Sequence, residues 1–260
     1  MSIGTSSRYA ERLFQAQQNL SPIPPITSEG AEITMETAYA IQMHNVERRL
    51  AAGDRVVGHK IGLTSKPMQA MLGVDEPDFG HLFASMQYQS GDSVDYPLIQ
   101  PRVEPELAFL LQDDLIGPNV SVQDVLRATR YVLPAIEIID SRIADWRIQL
   151  ADTIADNASL GCFVLGDAVR APEAVNLATI GGVLRVNGAI VQTGAGGAVM
   201  GHPAAAVAWL ANKLSSLGTE LKAGEVILSG AISAAVPVQP GDRVSLSFGP
   251  LGKVDLMMKA

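Results

Sequence analysis

Pro101-Arg102-Val103-Glu104-Pro105-Glu106-Leu107-Ala108-Phe109-Leu110 places two carboxylates two residues apart at the head of an apolar run. In an extended strand alternate side chains share a face, so Glu104 and Glu106 look into one site. Burial and mutual repulsion both oppose ionisation of such a pair, and a neutralising cation removes that penalty. A third acid has a similar setting in Tyr131-Val132-Leu133-Pro134-Ala135-Ile136-Glu137-Ile138-Ile139-Asp140, where Glu137 stands among core-forming residues. Three carboxylates on apolar strands, with water completing the shell, suit a hard divalent cation, Mg²⁺ or Mn²⁺. Two solvated strand ends and one buried, hydrogen-bonded glutamate would give the same spacing, and the residues alone leave both readings open.

The 260-residue chain is long enough to bury a sizeable core. With 47% hydrophobic and 18% charged residues its composition is that of a globular protein. A formal charge of −8 argues against nucleic acid or an anionic membrane surface as partner. It leaves room for a small anionic substrate at a local cation or lysine. The single cysteine, Cys162, allows no internal disulfide and points to a reducing compartment. No apolar run approaches the roughly 20 residues that span a bilayer. Met1–Phe14 carries Arg8, Glu11 and Arg12 in place of the apolar segment of a signal peptide. The expectation is a soluble, cytoplasmic protein.

Outward from the Glu104 stretch, the chain divides into a helical beginning and a β-rich remainder. Residues 6–20 read as a helix, followed by the connector Ser21-Pro22-Ile23-Pro24-Pro25. Thr34 has the chemistry of an N-cap, with Glu36 in the first turn of a second helix. Tyr39, Met43, Val46 and Leu50 recur at helical spacing and predict its core-facing stripe, and Gly53 closes it. These helices predict an N-terminal helical cap over residues 1–60, with a β-rich, metal-binding catalytic domain over 61–260. Arg55–Leu63 reads as a strand with Lys60 between small and apolar neighbours. Ser65–Gly73 reads as a helical turn. Asp75-Glu76-Pro77-Asp78-Phe79-Gly80 reads as an acidic loop, either a lid or a solvated turn.

Ser121 followed by Asp124 starts a short helix ahead of the Glu137 strand. Asp152-Thr153-Ile154-Ala155-Asp156-Asn157-Ala158-Ser159 supplies a dense set of hydrogen-bonding groups before a strand at Gly161–Leu165. Val183–Val191 carries Asn187-Gly188, the signature of a tight type I′ hairpin. Gly194-Ala195-Gly196-Gly197 lacks the lysine and strand-helix setting of a phosphate loop and reads as a flexible connection. Pro203 opens a helix whose apolar face is Val207, Leu210, Leu214 and Leu217, with Gly218 at its end. Short strands follow at Val226–Ser229, Val236–Val238, Arg243–Phe248 and Lys253–Leu256. Many short strands and few helices predict an α+β fold, a β-rich mixed sheet or partly closed barrel flanked by helices. The spacing does not show the alternation of a doubly wound sheet.

If Glu104, Glu106 and Glu137 hold a divalent metal, its open positions accept a bidentate oxygen ligand such as a 2-oxo or 2-hydroxy acid. The metal then acts as a Lewis acid that stabilises an enolate beside the carboxylate. Lys60 and Asp78 are the candidate proton movers, because burial lowers a lysine's pKa and raises a carboxylate's. A strand-edge lysine and an ordinary turn aspartate are the alternatives for these two. His59 faces away from Lys60 on a strand and reads as structural. His202 reads as a helix cap, His44 and His81 have no evident partner, and Cys162 reads as a core residue. Neither a Ser/His/Asp nucleophile pattern nor a dinucleotide fingerprint is present.

Taken in order, Gly58-His59-Lys60-Ile61-Gly62-Leu63-Thr64, Pro77-Asp78-Phe79-Gly80, Pro101–Phe109, Glu137–Arg142 and Asp152–Ser159 resemble the hydratase/decarboxylase branch of the fumarylacetoacetate hydrolase superfamily. The resemblance covers nearly the whole chain. It implies a β-rich core with a smaller N-terminal helical part and a bound Mg²⁺ or Mn²⁺. It implies metal ligation by Glu104, Glu106 and Glu137, and proton transfer by Lys60 and Asp78. It places Leu63 and Ser159 at the substrate, Ser159 near its carboxylate. The implied reaction is hydration of a 2-hydroxy-2,4-dienoate in meta-cleavage catabolism of aromatic compounds: ketonisation, then addition of water at C4. Decarboxylation of a 2-oxo-3-hexenedioate is the sister activity. Asp145-Trp146 resembles the hydratases, whereas Gly194–Pro203 and Gly230–Val238 look decarboxylase-like. The resemblance further implies homo-oligomers built on five-fold rings and association with the sister enzyme. A non-catalytic, metal-binding scaffold for a pathway partner is the alternative of a different class.

Overall fold

The computed structural model describes residues 3–29 and 33–260. Helices α1 (Ile3–Gln18) and α2 (Met35–Ala51) lead into β1 (Val56–Gly62), α3 (Lys66–Leu72), β2 (Asp78–Phe83), β3 (Gln87–Gln89), β4 (Ser93–Val94) and β5 (Arg102–Leu111). Then come α4 (Val122–Ala128), β6 (Thr129–Ile139), α5 (Leu150–Ala155), β7 (Leu160–Leu165), β8 (Gly181–Val186) and β9 (Ala189–Ala195). The chain finishes with α6 (Pro203–Ser216), β10 (Val226–Ala231), β11 (Val236–Pro237), β12 (Arg243–Phe248) and β13 (Gly252–Met258).

The larger sheet runs β2-β1-β10-β5-β6-β7-β3 and curls into a half-barrel. Strand β11 joins it on the N-terminal end of β5, pairing Val236 with Val103 and Pro237 with Arg102. A second sheet, β4-β13-β12-β8-β9, packs β12 and β13 against β6. The expected α+β architecture is the one observed. The centre of the larger sheet is near-continuously apolar because it is covered on both sides, with Phe109, Ile136 and Phe163 fully buried. Asn187 (φ 51°) and Gly188 (φ 84°) form the tight turn between β8 and β9, as their side chains favour.

Local chemistry sets the helix ends. The Thr34 hydroxyl accepts from the Thr37 amide, Ser121 and Asp124 form a reciprocal capping box, and His202 Nδ1 accepts from the Ala204 amide 3.1 Å away. The predicted stripe of α2 is half right. Tyr39 and Val46 are buried, but Met43 and Leu50 are 39% and 45% exposed. Contact with both α1 and α5 rotates the buried face onto Ala38, Ile41 and Gln42. Leu217 likewise lies outside the apolar face of α6, at its exposed C-cap.

Two expectations for loops are corrected. Asp78 does not belong to a mobile or solvated turn. It opens β2, all six residues of which are buried because the strand pairs with β1 and is covered by α2, α5 and the turn at Asn157–Ser159. The glycines at 194–197 are not a loose connection either. A Cβ on Gly194 would lie 2.1 Å from the Ile232 carbonyl oxygen, and one on Gly196 would lie 1.8 Å from that of Leu177. Their role is close backbone approach.

Candidate active site

Strand β5 carries Arg102, Glu104 and Glu106 on one face, and the antiparallel register sets Glu104 directly opposite Glu137 on β6. Oxygens of Glu104, Glu106 and Glu137 all lie within 4.8 Å of one another. Glu106 and Glu137 have no solvent exposure, while Glu104 is half-buried. One Glu106 oxygen accepts from the Gly230 amide at 2.8 Å; its other oxygen and Oε2 of Glu137 have no hydrogen-bond partner. Buried carboxylate oxygens without donors call for a cation. The all-oxygen donor set fits Mg²⁺ or Mn²⁺.

Electrostatics say the same. Burial and the neighbouring Glu137 push the Glu104 carboxyl up to about 7. Burial, then Glu137 and Glu104, hold Glu106 well above the ordinary carboxylate range. Burial lifts Glu137 as well, against the pull of Lys60. Without a cation the cluster therefore holds on to protons, and a divalent ion would displace them.

Lys60 reaches this cluster from β1. Its Nζ lies 3.0 Å from Glu137 Oε1 and donates to the Ala158 carbonyl at 2.9 Å. Burial disfavours its charge, but Glu137, aided by Asp78, Glu104 and Glu106, outweighs burial and keeps the ammonium above its usual range. The sequence argument that burial would lower this lysine is thus corrected, because four carboxylates surround it.

Asp78 pairs with Gly62 across β1 and β2. Its Oδ2 accepts from the Thr153 hydroxyl at 3.2 Å, and its buried Oδ1 has no partner. Burial raises its pKa, with Lys60 and Thr153 opposing. A Cβ on Gly62 would fall 2.1 Å from Asp78 Oδ1 and 3.4 Å from Lys60 Nζ, so both head groups border the hole that this glycine leaves. Ser159 is buried, its hydroxyl 3.4 Å from that of Thr153. Leu63 follows β1 with φ 56°, half-buried, its carbonyl accepting from Gln69 Nε2 at 2.8 Å.

Sequence reasoning missed the backing of the site. Asn157, Ala158 and Ser159 have φ of 54°, 51° and 53°, three successive left-handed residues without a glycine. Such backbone persists only where its surroundings over-determine it. Here the buried Arg142 donates to the Asp156 carboxylate, to the Asp156 carbonyl and to the Leu160 carbonyl. The Asn157 side chain accepts from the His81 amide and donates to the His81 carbonyl. A Cβ on Gly80 would lie 2.4 Å from the Asn157 carbonyl oxygen, so this residue too is set by close approach. The outcome is an Ala158 carbonyl aimed at Lys60. His81, without an evident partner in the sequence, meets the Gln42 side chain at 3.0 Å.

Residues 37–256 match the family Fumarylacetoacetate (FAA) hydrolase C-terminal, and the chain belongs to that family. Its relatives include hydratases. The chain is 48% identical over 245 residues to 2-hydroxyhexa-2,4-dienoate hydratase of Comamonas testosteroni, covering 93% of each chain. It is 51% identical over 210 residues to 2-hydroxypent-2,4-dienoate hydratase of Pseudomonas putida, covering 80% of this chain and 95% of the relative. Its fold superposes on 4-oxalocrotonate decarboxylase from Pseudomonas putida, complexed with magnesium and adipate, with a TM-score of 0.96 and 37% identity. That match covers 99% of this chain and 98% of the other.

Proposed function

We propose that the chain is a metal-dependent hydro-lyase converting 2-hydroxypenta-2,4-dienoate to 4-hydroxy-2-oxopentanoate, in meta-cleavage catabolism of aromatic compounds. The observation that carries this reading is the identity of 48% and 51% to two dienoate hydratases over most of the chain. The buried cluster beside Lys60 and Asp78 supplies the chemistry such a reaction needs.

Glu104, Glu106 and Glu137 would hold Mg²⁺ or Mn²⁺, which when bound stabilises negative charge on the substrate's 2-oxygen as a Lewis acid. Hydration requires one proton at C5 to ketonise the dienol, then water's hydroxyl at C4 and a proton at C3. Lys60, fixed by Glu137 and the Ala158 carbonyl, places a positive donor beside the charge that develops. Asp78, a buried acid with Oδ1 uncommitted and Oδ2 steadied by Thr153, is set to exchange a proton with the substrate chain. Ser159 would orient the substrate carboxylate and Leu63 would line the chain's path. The β-rich part from β1 onward, Lys60 included, forms the catalytic domain, with the preceding helices as its cap.

A second reading, decarboxylation of 2-oxo-3-hexenedioate, is favoured by the near-complete superposition on the decarboxylase. A pure scaffold is disfavoured because Lys60 and Asp78 stand beside all three metal-binding acids. We also place the protein in the cytoplasm, as homo-oligomers built on five-fold rings that can associate with the sister enzyme. The uncharged edge strand β9, with Ile190 60% exposed, supports association, and sedimentation would measure it.

The deciding assay adds Mg²⁺ and offers 2-hydroxypenta-2,4-dienoate and 2-oxo-3-hexenedioate separately. Rapid loss of dienol absorbance, yielding 4-hydroxy-2-oxopentanoate without CO₂, is the expected result. CO₂ from the dicarboxylate with little hydration of the dienol would make the protein a decarboxylase. Chain length is a finer matter, since one methylene shifts binding by only about 1–3 kcal/mol.

A further inference from the structure

Two histidines that the proposed reaction does not use stand opposite one another behind the site. The register of β1 and β2 sets His59 against His81, as it sets Lys60 against Gly80 and Gly62 against Asp78. Side chains alternate along a strand, so Lys60 and Asp78 share one face of this pair and the two imidazoles share the other. The histidines are 6% and 9% exposed, and their ring centres lie 4.9 Å apart with planes inclined at 53°.

Their surroundings fix which ring nitrogen is available. Gln42 Nε2 donates to the Phe79 and Ile154 carbonyls, which makes Gln42 Oε1 the acceptor for a proton on His81 Nδ1 at 3.0 Å. His81 therefore carries its lone pair on Nε2. Burial, with His59 beside it, holds its pKa down to about 3 and keeps the ring neutral. His59 Nδ1 is a buried nitrogen with no hydrogen bond, but Glu225 Oε2 faces it at 3.4 Å, so its proton too belongs on Nδ1. Among the described residues no hydrogen bond reaches either Nε2.

Two imidazoles, each with an acceptor facing Nδ1 and a bare Nε2, have the outer shell of histidine metal ligands. The spacing agrees. A ring bound through Nε2 at about 2.0–2.1 Å has its centre about 3.2 Å from the ion, and two such rings about 90–109° apart around it have centres about 4.6–5.3 Å apart.

We propose that His59 and His81 chelate a borderline divalent cation of the Zn²⁺ type through their Nε2 atoms, on the face of β1 and β2 opposite Lys60 and Asp78. An imidazole pair suits such an ion and not Mg²⁺, whereas the three glutamates suit Mg²⁺, so donor softness keeps the two sites apart. Water completes the shell, since Glu225 faces only His59 Nδ1 and acts on that ring as an orienting charge. The ion ties β1 to β2, the strands that carry Lys60 and Asp78.

Calorimetric titration of Zn²⁺ into protein held in excess Mg²⁺, which keeps the carboxylate cluster occupied, tests the site. Wild type takes up one equivalent of Zn²⁺. His59→Ala and His81→Ala each weaken uptake at least about 10-fold, Glu225→Gln weakens it by about the same factor, and Glu106→Gln leaves it within about threefold. Should a histidine variant fail to fold, long-range ¹H–¹⁵N spectra of wild type decide instead: Zn²⁺ shifts the Nε2 signals of two of the four histidines and leaves their Nδ1 protonated. Uptake that survives both histidine substitutions, that vanishes in Glu106→Gln or under rising Mg²⁺, or that moves no Nε2 signal overturns the proposal, as does no uptake by wild type. None of these outcomes bears on hydration of the dienol, which is assayed with Mg²⁺ and without Zn²⁺.

Discussion

Glu106 is fully buried, with one oxygen on the Gly230 amide and the other without a donor. Glu106→Gln keeps the shape and removes the charge. Its hydratase rate is expected to fall by about 100-fold or more, while the chelator-treated variant melts no lower than wild type, since a neutral amide replaces a carboxyl that burial already keeps protonated. Unchanged turnover would remove the metal from the mechanism. Gly62→Ala puts a methyl group 2.1 Å from Asp78 Oδ1. The carboxyl must move by an ångström or so, and kcat should drop roughly 10- to 100-fold with the circular dichroism spectrum unaltered. The same cluster sets a pH dependence. With Glu104 pushed up to about 7, the folded chain keeps a proton that the unfolded chain has released. Stability of chelator-treated protein should therefore fall, not rise, as pH climbs from about 4.5 to about 7. Added Mg²⁺ should flatten that slope, and thermal melts at pH 5 and 7.5 with and without the ion measure it.

Between elements, the side chain of Gln42 on α2 ties together parts distant in sequence. Its amide nitrogen donates to the Phe79 carbonyl on β2 at 3.0 Å and to the Ile154 carbonyl on α5 at 2.8 Å, and its oxygen meets His81 Nδ1. Phe79 and Ile154 are the chain neighbours of Asp78 and Thr153, so this one amide sets the spacing across which those side chains hydrogen-bond. Gln42→Leu should cost about 2–4 kcal/mol in denaturant titration and lower kcat more than it raises KM. A variant with the stability loss but unchanged kcat would confine Gln42 to a structural role. Such links explain what the sequence could reveal. Caps at Thr34, Ser121 and His202, the Asn187-Gly188 turn and the Glu104/Glu106 alternation are local, and each was legible from a few adjacent residues. The position of Asp78 in a buried strand was not, because the Pro77-flanked acidic run reads as a turn until β1 pairs with it. The Ala158 carbonyl on Lys60 was invisible for a stronger reason: it is a main-chain group, and the left-handed run that aims it carries no glycine to announce it. Partners of Met43, Leu50 and His81 depended on which helix or strand packed against them, which periodicity cannot tell.

For the whole molecule, the two sheets divide the labour. The larger one is apolar through its centre and turns charged where Lys60, Asp78 and the three glutamates converge, with His59, His81 and Ser229 also buried on its strands. The smaller one ends in β9, whose exposed, uncharged edge is free of the lysines and prolines that normally discourage pairing. The carboxylate cluster has one more consequence. Buried carboxyls forced either to keep protons or to repel one another lower the stability of a chain without a bound cation, whereas an ion that binds only the folded form raises it by mass action. On the proposed metal reading, supply of the ion would govern lifetime as well as turnover: chains starved of Mg²⁺ would open more often and be cleared sooner by proteases. Limited proteolysis at matched concentration should cut chelated protein several-fold faster than Mg²⁺-loaded protein. The cell would thereby hold in stock roughly as much enzyme as it has metal to arm.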